Sequence, residues 1–164
     1  MPLEKLRVVY DCNIFWRAFF YSKGLGGECK KLIDNGTILH FLSDEILTEA
    51  TEVLTRQDTL KRFSEVTVED VHRFLKEIVS KSIFVTSVKP AFELPRDSKD
   101  EPYINLAVEV RADFIVTTDK DMLDLMTGID NDSKLFRQKF RPLKIITPLE
   151  FLNAVYTREL PLNP

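Results

Sequence analysis

The sequence predicts an α/β fold in which a five-stranded, mostly parallel sheet carries helices on both faces. Short apolar segments of strand length alternate with helix-length segments, and strands joined through helices pair in parallel with right-handed crossovers. The chain has only 5 glycines and 8 prolines, too few for a low-complexity protein. Its 164 residues suit one core. We therefore expect a single three-layer α/β/α domain over residues 1–164.

Strands and helices are predicted from apolar pattern and segment length. Five segments have the character of strands: residues 6–10, 37–41, 83–87, 113–117 and 143–146. Helices are expected between and after them: residues 13–21, 28–33, 44–56, 67–81, 100–111, 120–126 and 148–156. The remaining long segments are predicted as loops, the last being a polar loop or a frayed helix: residues 22–27, 89–99 and 127–139.

The predicted helix starts carry residues suited to that position. Ser43 is a favoured N-cap type before the helix at 44–56. Thr67 and Asp70 have the spacing of a capping box. Asp100 precedes Pro102, and proline suits the first turn of a helix. These residues support helices at three of the predicted positions.

Composition restricts the class of protein. A net charge of −3 gives no bulk attraction to nucleic acid or anionic membranes, although a local basic patch is enough for binding. The 2 cysteines have no CxxC spacing, which favours a reducing compartment and argues against a zinc site. The start of the chain lacks a signal-peptide pattern, and no apolar run reaches membrane-spanning length. We expect a cytoplasmic protein with no membrane contact.

Acidic residues follow two of the predicted strands directly. Asp11 follows the first strand, with Asn13 two residues later, and Asp119 follows the fourth. In an open α/β sheet, ligands bind outside the carboxyl ends of the strands. Taken alone, each residue is explained by a turn or a helix cap, a role that suits Asp121 better than Asp119. Together they predict two carboxylates at one edge of the sheet.

Two further acids are placed so that they can reach the same edge. Glu49 lies at the border of the apolar stripe of its helix, whereas Glu45 and Glu52 lie nearly opposite that stripe. A boundary salt bridge is the ordinary explanation for Glu49. Asp100 is expected to cap its helix, with its side chain directed off the helix N-terminus, and Asp97 and Glu101 compete for the same role.

A cluster of four carboxylates repels itself. At about 5 Å and an effective dielectric of about 20, each like-charged pair costs roughly 3 kcal/mol. Such a cluster is tolerated when it holds a cation or when some of its members are protonated. Oxygen ligands without histidine favour Mg²⁺ or Mn²⁺ over zinc.

Three stretches of the sequence resemble the PIN domain, the nuclease fold named after the PilT N-terminus. The first is residues 8–14, which contain Asp-Cys-Asn after a strand, and the second is residues 43–54, which contain Glu49. The third is residues 97–121, in which all but residues 108–111 take part in the resemblance. The third stretch most resembles prokaryotic toxin components of toxin–antitoxin pairs. Cys12 departs from the small hydroxylic or apolar residue that is usual in the family.

The resemblance implies a Mg²⁺- or Mn²⁺-dependent ribonuclease that hydrolyses RNA phosphodiester bonds with an activated water. It implies that Asp11, Glu49, Asp100 and Asp119 are the catalytic and metal-binding residues. Proximity suggests that three more residues contact the substrate phosphate: Asn13, Thr117 and Thr118. An antitoxin partner and a homodimer are further expectations of the resemblance.

The segment 134–144 is a second candidate for RNA contact because it carries five cations with Phe136 and Phe140. Basic residues bind phosphates and aromatic rings stack on bases. The ordinary alternative, which we favour, is a solvated segment whose aromatic rings lie in the core. A weaker basic cluster contains Arg56, Lys61 and Arg62.

Other classes with a related fold lack their required residues. A haloacid dehalogenase-type phosphatase needs Asp-x-Asp after the first strand, where this chain has Asp11-Cys12-Asn13. A receiver domain needs an acidic residue after the third strand, and a dinucleotide-binding domain needs GxGxxG before the first helix. The alternative that remains is a PIN-fold module that binds RNA or protein without catalysis.

Overall fold

The computed structural model describes residues 3–93 and 98–159. Its strands form one five-stranded sheet in the order β3-β2-β1-β4-β5, and every strand pair within the described residues is parallel. The strands are β1 (Arg7–Tyr10), β2 (Leu39–Ser43), β3 (Ile83–Val85), β4 (Phe114–Val116) and β5 (Lys144–Ile146). The predicted three-layer α/β/α fold is confirmed, since helices cover both faces of this sheet.

The described helices correspond to the predicted ones with two additions. They are α1 (Cys12–Phe20), α2 (Leu25–Asp34), α3 (Asp44–Leu54), α4 (Gln57–Arg62), α5 (Val68–Ser80), α6 (Glu101–Glu109), α7 (Lys120–Leu123), α8 (Asn131–Lys139) and α9 (Pro148–Glu159). Short 3₁₀ turns lie at Ser98–Asp100 and Asp124–Met126. Helix α4 was not predicted, and α8 replaces what was predicted as a polar loop or frayed helix.

Helix α8 forms because it has both a cap and an anchor. The Asp130 carboxylate accepts hydrogen bonds from the Ser133 backbone N–H (3.2 Å) and hydroxyl (2.5 Å). Phe136 is fully buried, in edge contact with Phe92 and close to Phe140. The base-stacking role considered for Phe136 is therefore wrong, because its ring belongs to the core.

The predicted caps of α3 and α5 are present. The Ser43 hydroxyl accepts a hydrogen bond from the Ile46 backbone N–H at 3.4 Å. Thr67 and Asp70 form a reciprocal capping box, with bonds of 3.1 and 3.0 Å. Each cap satisfies donors that a helix start leaves unpaired. The sequence signals therefore located these two helix starts correctly.

The aromatic side chains of α1 pack against α5 and against the residue that follows α4. Phe20 stacks on Phe63, just after α4, at 4.4 Å between ring centroids, and Phe19 contacts Phe74 of α5 at 4.9 Å. Trp16 lies against both Phe20 and Phe63. Helix α4 was missed because its own sequence is polar, and the ring of Phe63 after it provides the contact with α1.

The buried side chains of the core include two thiols and an imidazole. Cys12 and Cys29 are both buried free thiols. His40 is buried as well, and burial lowers its pKa to about 3, so the imidazole is neutral beside Ser82.

Within residues 3–93 and 98–159, no helix combines the length and the apolar character that crossing a bilayer requires.

Helix α2 starts earlier than predicted because glycine serves close packing there rather than a turn. A Cβ on Gly26 would lie 2.7 Å from the Arg17 Cβ, and a Cβ on Gly27 would lie 1.8 Å from the Ser22 carbonyl oxygen. Backbone this close leaves no space for a side chain. The two glycines therefore let the first turn of α2 rest against α1 and the loop that follows it.

We expect Gly27→Ala to destabilise the protein by about 1–3 kcal/mol, because the neighbouring carbonyl belongs to the backbone and cannot move aside cheaply. Gly24→Ala is the matched control, since its added Cβ would lie at an ordinary 3.4 Å from the Tyr21 carbonyl oxygen. Urea unfolding measures both. Equal losses in the two variants would contradict this account of the α1–α2 contact.

Candidate active site at the carboxyl edge of the sheet

Asp11 lies at the centre of the sheet edge, where β1 and β4 end side by side. The register pairs Tyr10 with Val116, and the Asp11 backbone N–H continues the ladder to the Val116 carbonyl at 3.0 Å. The residue is buried, with 5% of its surface exposed. Oxygen Oδ2 accepts hydrogen bonds from the Thr117 hydroxyl at 2.6 Å and from the Asn13 side-chain amide at 3.2 Å.

The environment of Asp11 opposes its negative charge. Burial is the main cause of a raised pKa, the charges of Glu49 and Asp119 raise it further, and the Thr117 hydroxyl partly offsets them. Two predicted acids, from α3 and from the end of β4, therefore act electrostatically on a third at the end of β1. The structure brings Asp11, Glu49 and Asp119 to one edge of the sheet, as the sequence predicted.

Glu49 is held by two donors that sequence reasoning did not identify. The Tyr103 hydroxyl donates to Oε2 at 2.9 Å, and the Cys12 thiol donates to Oε1 at 3.3 Å. The Tyr103 hydroxyl also accepts from the Cys12 backbone N–H at 3.3 Å. Burial, with the charge of Asp11 next, raises the pKa of the Cys12 thiol well above its usual range, so it keeps its proton. Both oxygens of Glu49 are thereby oriented.

Asp119 lies beyond β4 at the start of α7. Its Oδ1 accepts a hydrogen bond from the Asp121 backbone N–H at 2.8 Å, which makes Asp119 the N-cap of α7. The preference for Asp121 in that role was wrong, since Asp121 is exposed in the first turn. The Asp119 backbone N–H donates to the Thr117 hydroxyl at 2.9 Å. Thr117 thus links the Asp119 turn to the Asp11 carboxylate.

Asp100 is buried at the start of α6, with 5% of its surface exposed. Asp100 occupies the N-cap position of α6, as the sequence predicted, but its side chain makes no capping hydrogen bond to the helix. Lys99, just before it, and Pro102, two residues after it, line a groove together with Glu49. Of its competitors, Glu101 opens α6 and is half-buried, whereas Asp97 lies outside the described residues.

The predicted substrate-contact residues separate into two places. Asn13 and Thr117 contact the Asp11 carboxylate. Thr118 instead lines a groove that is formed with Arg17, Tyr21 and Leu149. Contact of these three residues with a phosphate stays a prediction.

The donor set suits a hard divalent cation that keeps part of its water. Asp11, Glu49 and Asp119 offer carboxylate oxygens, and the buried Oδ1 of Asn13 accepts no hydrogen bond within the described residues. No three histidine, cysteine or acidic residues there are spaced to hold an ion directly. Mg²⁺ is usually bound through one or two carboxylates with several retained waters. The residues present therefore fit water-mediated binding of such an ion.

Comparison with known proteins identifies the family to which this fold belongs. A sequence model of the PIN domain family matches residues 7–121, which contain β1 to β4 and all four predicted acids. The chain belongs to the PIN domain family. An uncharacterized protein of Methanocaldococcus jannaschii, MJ1680, is 30% identical over 155 residues, and the match covers 93% of each chain. PIN domains are generally nucleases and typically use divalent metals.

Cys12 and Tyr103 are the site residues that the sequence analysis missed. A cysteine directly after the first acid was noted only as a departure from the family. Tyr103 lies on the buried face of α6 and is fully buried itself, like its neighbour Ile104. Only its hydroxyl distinguished it from a core residue. No local pattern indicates that this hydroxyl meets Glu49, a residue 54 positions away.

We expect Asp11→Asn to stabilise the metal-free protein at neutral pH. The pKa of Asp11 is higher in the folded state than in the unfolded state, so protonated Asp11 contributes to the free energy of unfolding. That contribution is fully present below the unfolded-state pKa, near the ordinary value of 3.8, and is lost as pH rises through the folded-state pKa. The neutral amide removes this loss. Urea unfolding in EDTA should therefore show a gain at pH 7 that disappears below about pH 4, whereas exposed Glu52→Gln should show no comparable gain. A less stable Asp11→Asn protein at pH 7 contradicts the prediction.

We expect Tyr103→Phe to weaken Mn²⁺ binding by about 10-fold or more, as is usual when a residue that orients a ligand loses its hydrogen bond. It also leaves the buried Cys12 N–H without this acceptor, which costs about 1–3 kcal/mol of stability. Tyr10→Phe is the matched control, because that buried hydroxyl donates to the Cys29 carbonyl at 2.9 Å. Titration calorimetry and urea unfolding separate the two effects: equal Mn²⁺ affinity in both variants would sink the positioning role.

Proposed function

We propose that this protein is a Mg²⁺- or Mn²⁺-dependent ribonuclease that hydrolyses RNA phosphodiester bonds. One observation carries the proposal: Asp11, at the end of β1 beside the end of β4, lies close enough to Glu49 and to Asp119 for the charge of each to act on it. Membership of a family that is generally nucleolytic supports the same reaction class. We propose Asp11, Glu49, Asp100 and Asp119 as its catalytic and metal-binding residues.

Each side chain has a defined part in this proposal. Asp11 is held in one orientation by Thr117 and Asn13, which keeps a carboxylate oxygen at the sheet edge. Glu49 is oriented by Tyr103 and is available to accept a proton from the attacking water. A divalent ion bound by these carboxylates supplies the charge that activates water and neutralises the phosphate as it reacts.

The buried position of Asp11 gives the site its need for a cation. The carboxylate of a buried residue that lies near two like charges is stable only when those charges are balanced or one group is protonated. A phosphodiester is itself an anion and would be repelled by the unbalanced site. A bound cation resolves both repulsions, which favours metal-dependent chemistry on an anionic substrate over binding of the RNA alone.

Regulation by an antitoxin and homodimerisation are further parts of the proposal. They rest on the resemblance of residues 97–121 to toxin components of toxin–antitoxin pairs. We place the protein in the cytoplasm, where reduced cysteines persist, because Cys12 and Cys29 are free thiols.

A second candidate is a PIN-fold module that binds RNA or protein without cutting RNA. The spacing of the acids favours this second function, because no three of them among the described residues are close enough to bind one metal ion directly. The two functions differ in what metal does. A nuclease needs Mg²⁺ or Mn²⁺ for cleavage, whereas a binding module recruits its partner in EDTA and leaves the RNA intact.

We expect purified protein to cleave single-stranded RNA with Mg²⁺ or Mn²⁺ and not in EDTA. Asp100→Asn and Asp119→Asn should each lower the rate by about 100-fold or more, since metal-ion stabilisation of the reacting phosphate is worth several kcal/mol. Glu45→Gln is the matched control, being an exposed acid on the Glu49 helix.

Thermal unfolding checks that the two aspartate variants stay folded. Cleavage that is equally fast in Glu45→Gln, Asp100→Asn and Asp119→Asn would show a contaminating nuclease or a different site. A protein that binds RNA but leaves it uncut with either metal would establish the binding module.

A further inference from the structure

Two grooves of opposite character flank the candidate site. The acidic groove lies along α3, where Glu45, Glu49 and Glu52 outnumber Arg56 and Lys99. The Tyr21 groove lies at the ends of β4 and β5 and is lined by Arg17, Tyr21, Leu25, Thr118, Thr147 and Leu149. Within the described residues, no carboxylate lines the Tyr21 groove. An anionic strand is therefore repelled by the acidic groove and meets no lining carboxylate in the Tyr21 groove.

One face of α1 connects Asp11 to the Tyr21 groove. Asn13, Arg17 and the C-cap residue Tyr21 follow one another at four-residue spacing. Residues at this spacing are neighbours on a helix surface, with about 5–6 Å between Cβ atoms. Asn13 contacts the Asp11 carboxylate. The Tyr21 N–H bonds to the Arg17 carbonyl at 2.9 Å, so the last helical hydrogen bond of α1 reaches Tyr21, where the backbone leaves the helical conformation.

The opposite wall of the groove also begins at the site. Thr118 lies in the chain between Thr117, which bonds to the Asp11 carboxylate, and Asp119. Thr118 is therefore one residue from each of two groups at the site, while its own side chain lines the groove. The groove of about 320 Å³ is at the small end of the range of ligand sites, about 300–1,000 Å³.

The aromatic side chain in the groove is both exposed and held in place. Tyr21 is 47% exposed, although its ring contacts Trp16 and Phe63 at centroid distances of 5.6 and 5.9 Å. Its hydroxyl accepts a hydrogen bond from Arg62 at 3.1 Å. Arg17 is exposed and forms no ion pair within the described residues. A fixed ring beside a cation with no ion pair is a suitable platform for a base and its phosphate.

We infer that the Tyr21 groove is a nucleotide subsite for single-stranded RNA: Tyr21 stacks on the base of the second nucleotide from the scissile phosphate, and Arg17 binds the phosphate that joins the first nucleotide to the second. The inference rests on the proposed ribonuclease function and adds the path of the substrate, from Asp11 along Asn13 and Arg17 to Tyr21. The strand must be single, because its bases have to be free to stack.

Binding of a fluorescein-labelled single-stranded oligoribonucleotide of about 12 nucleotides tests the subsite. Fluorescence anisotropy is measured with Mg²⁺ in the Asp119→Asn background, so that the probe is not cut. Tyr21→Ala should weaken binding by about 10-fold, and Tyr21→Phe should retain affinity because the ring remains. Arg17→Gln should reduce the slope of log affinity against log salt by about 0.7, the value for one single-strand phosphate contact.

Tyr156→Ala is the matched control, since Tyr156 is 45% exposed and does not line the groove. Thermal unfolding monitors the fold. Because Arg17 is exposed, Arg17→Gln keeps the test decisive if Tyr21→Ala loses stability. Unchanged affinity in Tyr21→Ala together with an unchanged salt slope in Arg17→Gln overturns the subsite.

Three results are thereby distinguished. If the unsubstituted chain cleaves RNA and the groove variants behave like Tyr156→Ala, the subsite is wrong and the ribonuclease proposal stands. If the unsubstituted chain neither binds nor cleaves RNA with either metal, both proposals fall. If Tyr21→Ala changes the sedimentation coefficient without changing RNA affinity, the groove is an interface with a second copy, and the subsite is overturned.

Discussion

The hydroxyl of Thr117 is the contact on which the arrangement at the sheet edge depends. It donates to the Asp11 carboxylate at 2.6 Å and accepts from the Asp119 backbone N–H at 2.9 Å, and it is completely buried. One small side chain therefore joins the end of β1 to the turn after β4. It also compensates in part for the loss of hydration that Asp11 suffers on burial.

The site is organised at the expense of stability. Asp11 is buried near two like charges, and burial raises the pKa of the Cys12 thiol and of the Tyr103 hydroxyl beside it. Stability alone would favour apolar residues at these buried positions. Ionisable residues that lower stability where they are buried are typical of functional sites. The Cys12 thiol and the Tyr103 hydroxyl both donate hydrogen bonds to Glu49, and these two bonds fix the orientation of its carboxylate.

The parallel sheet also accounts for the asymmetry of the surface around the site. Every crossover brings a new helix to the edge where the strands end, so α1 and α3 both border it with different side chains. Helix α3 contributes glutamates to one groove, whereas α1 contributes Arg17 and Tyr21 to the other. This difference is the basis of the direction that we propose for an anionic strand. The net charge of −3 gives no indication of it, because that charge is summed over the whole surface.

Local patterns in the sequence determined the sheet, the caps at Ser43 and Thr67, and the acids after strands, because strand length, cap chemistry and helix period are properties of neighbouring residues. The tertiary structure alone decided which hydroxyl holds which carboxylate. It brought the Tyr103 hydroxyl into hydrogen-bonding contact with Glu49, packed Phe63 against α1 and buried Phe136 in the core. These contacts join residues 37 to 106 positions apart, such as Cys12 with Glu49 and Asp11 with Thr117. No spacing within one helix or strand encodes them, since they arise only when the packed sheet brings distant segments together.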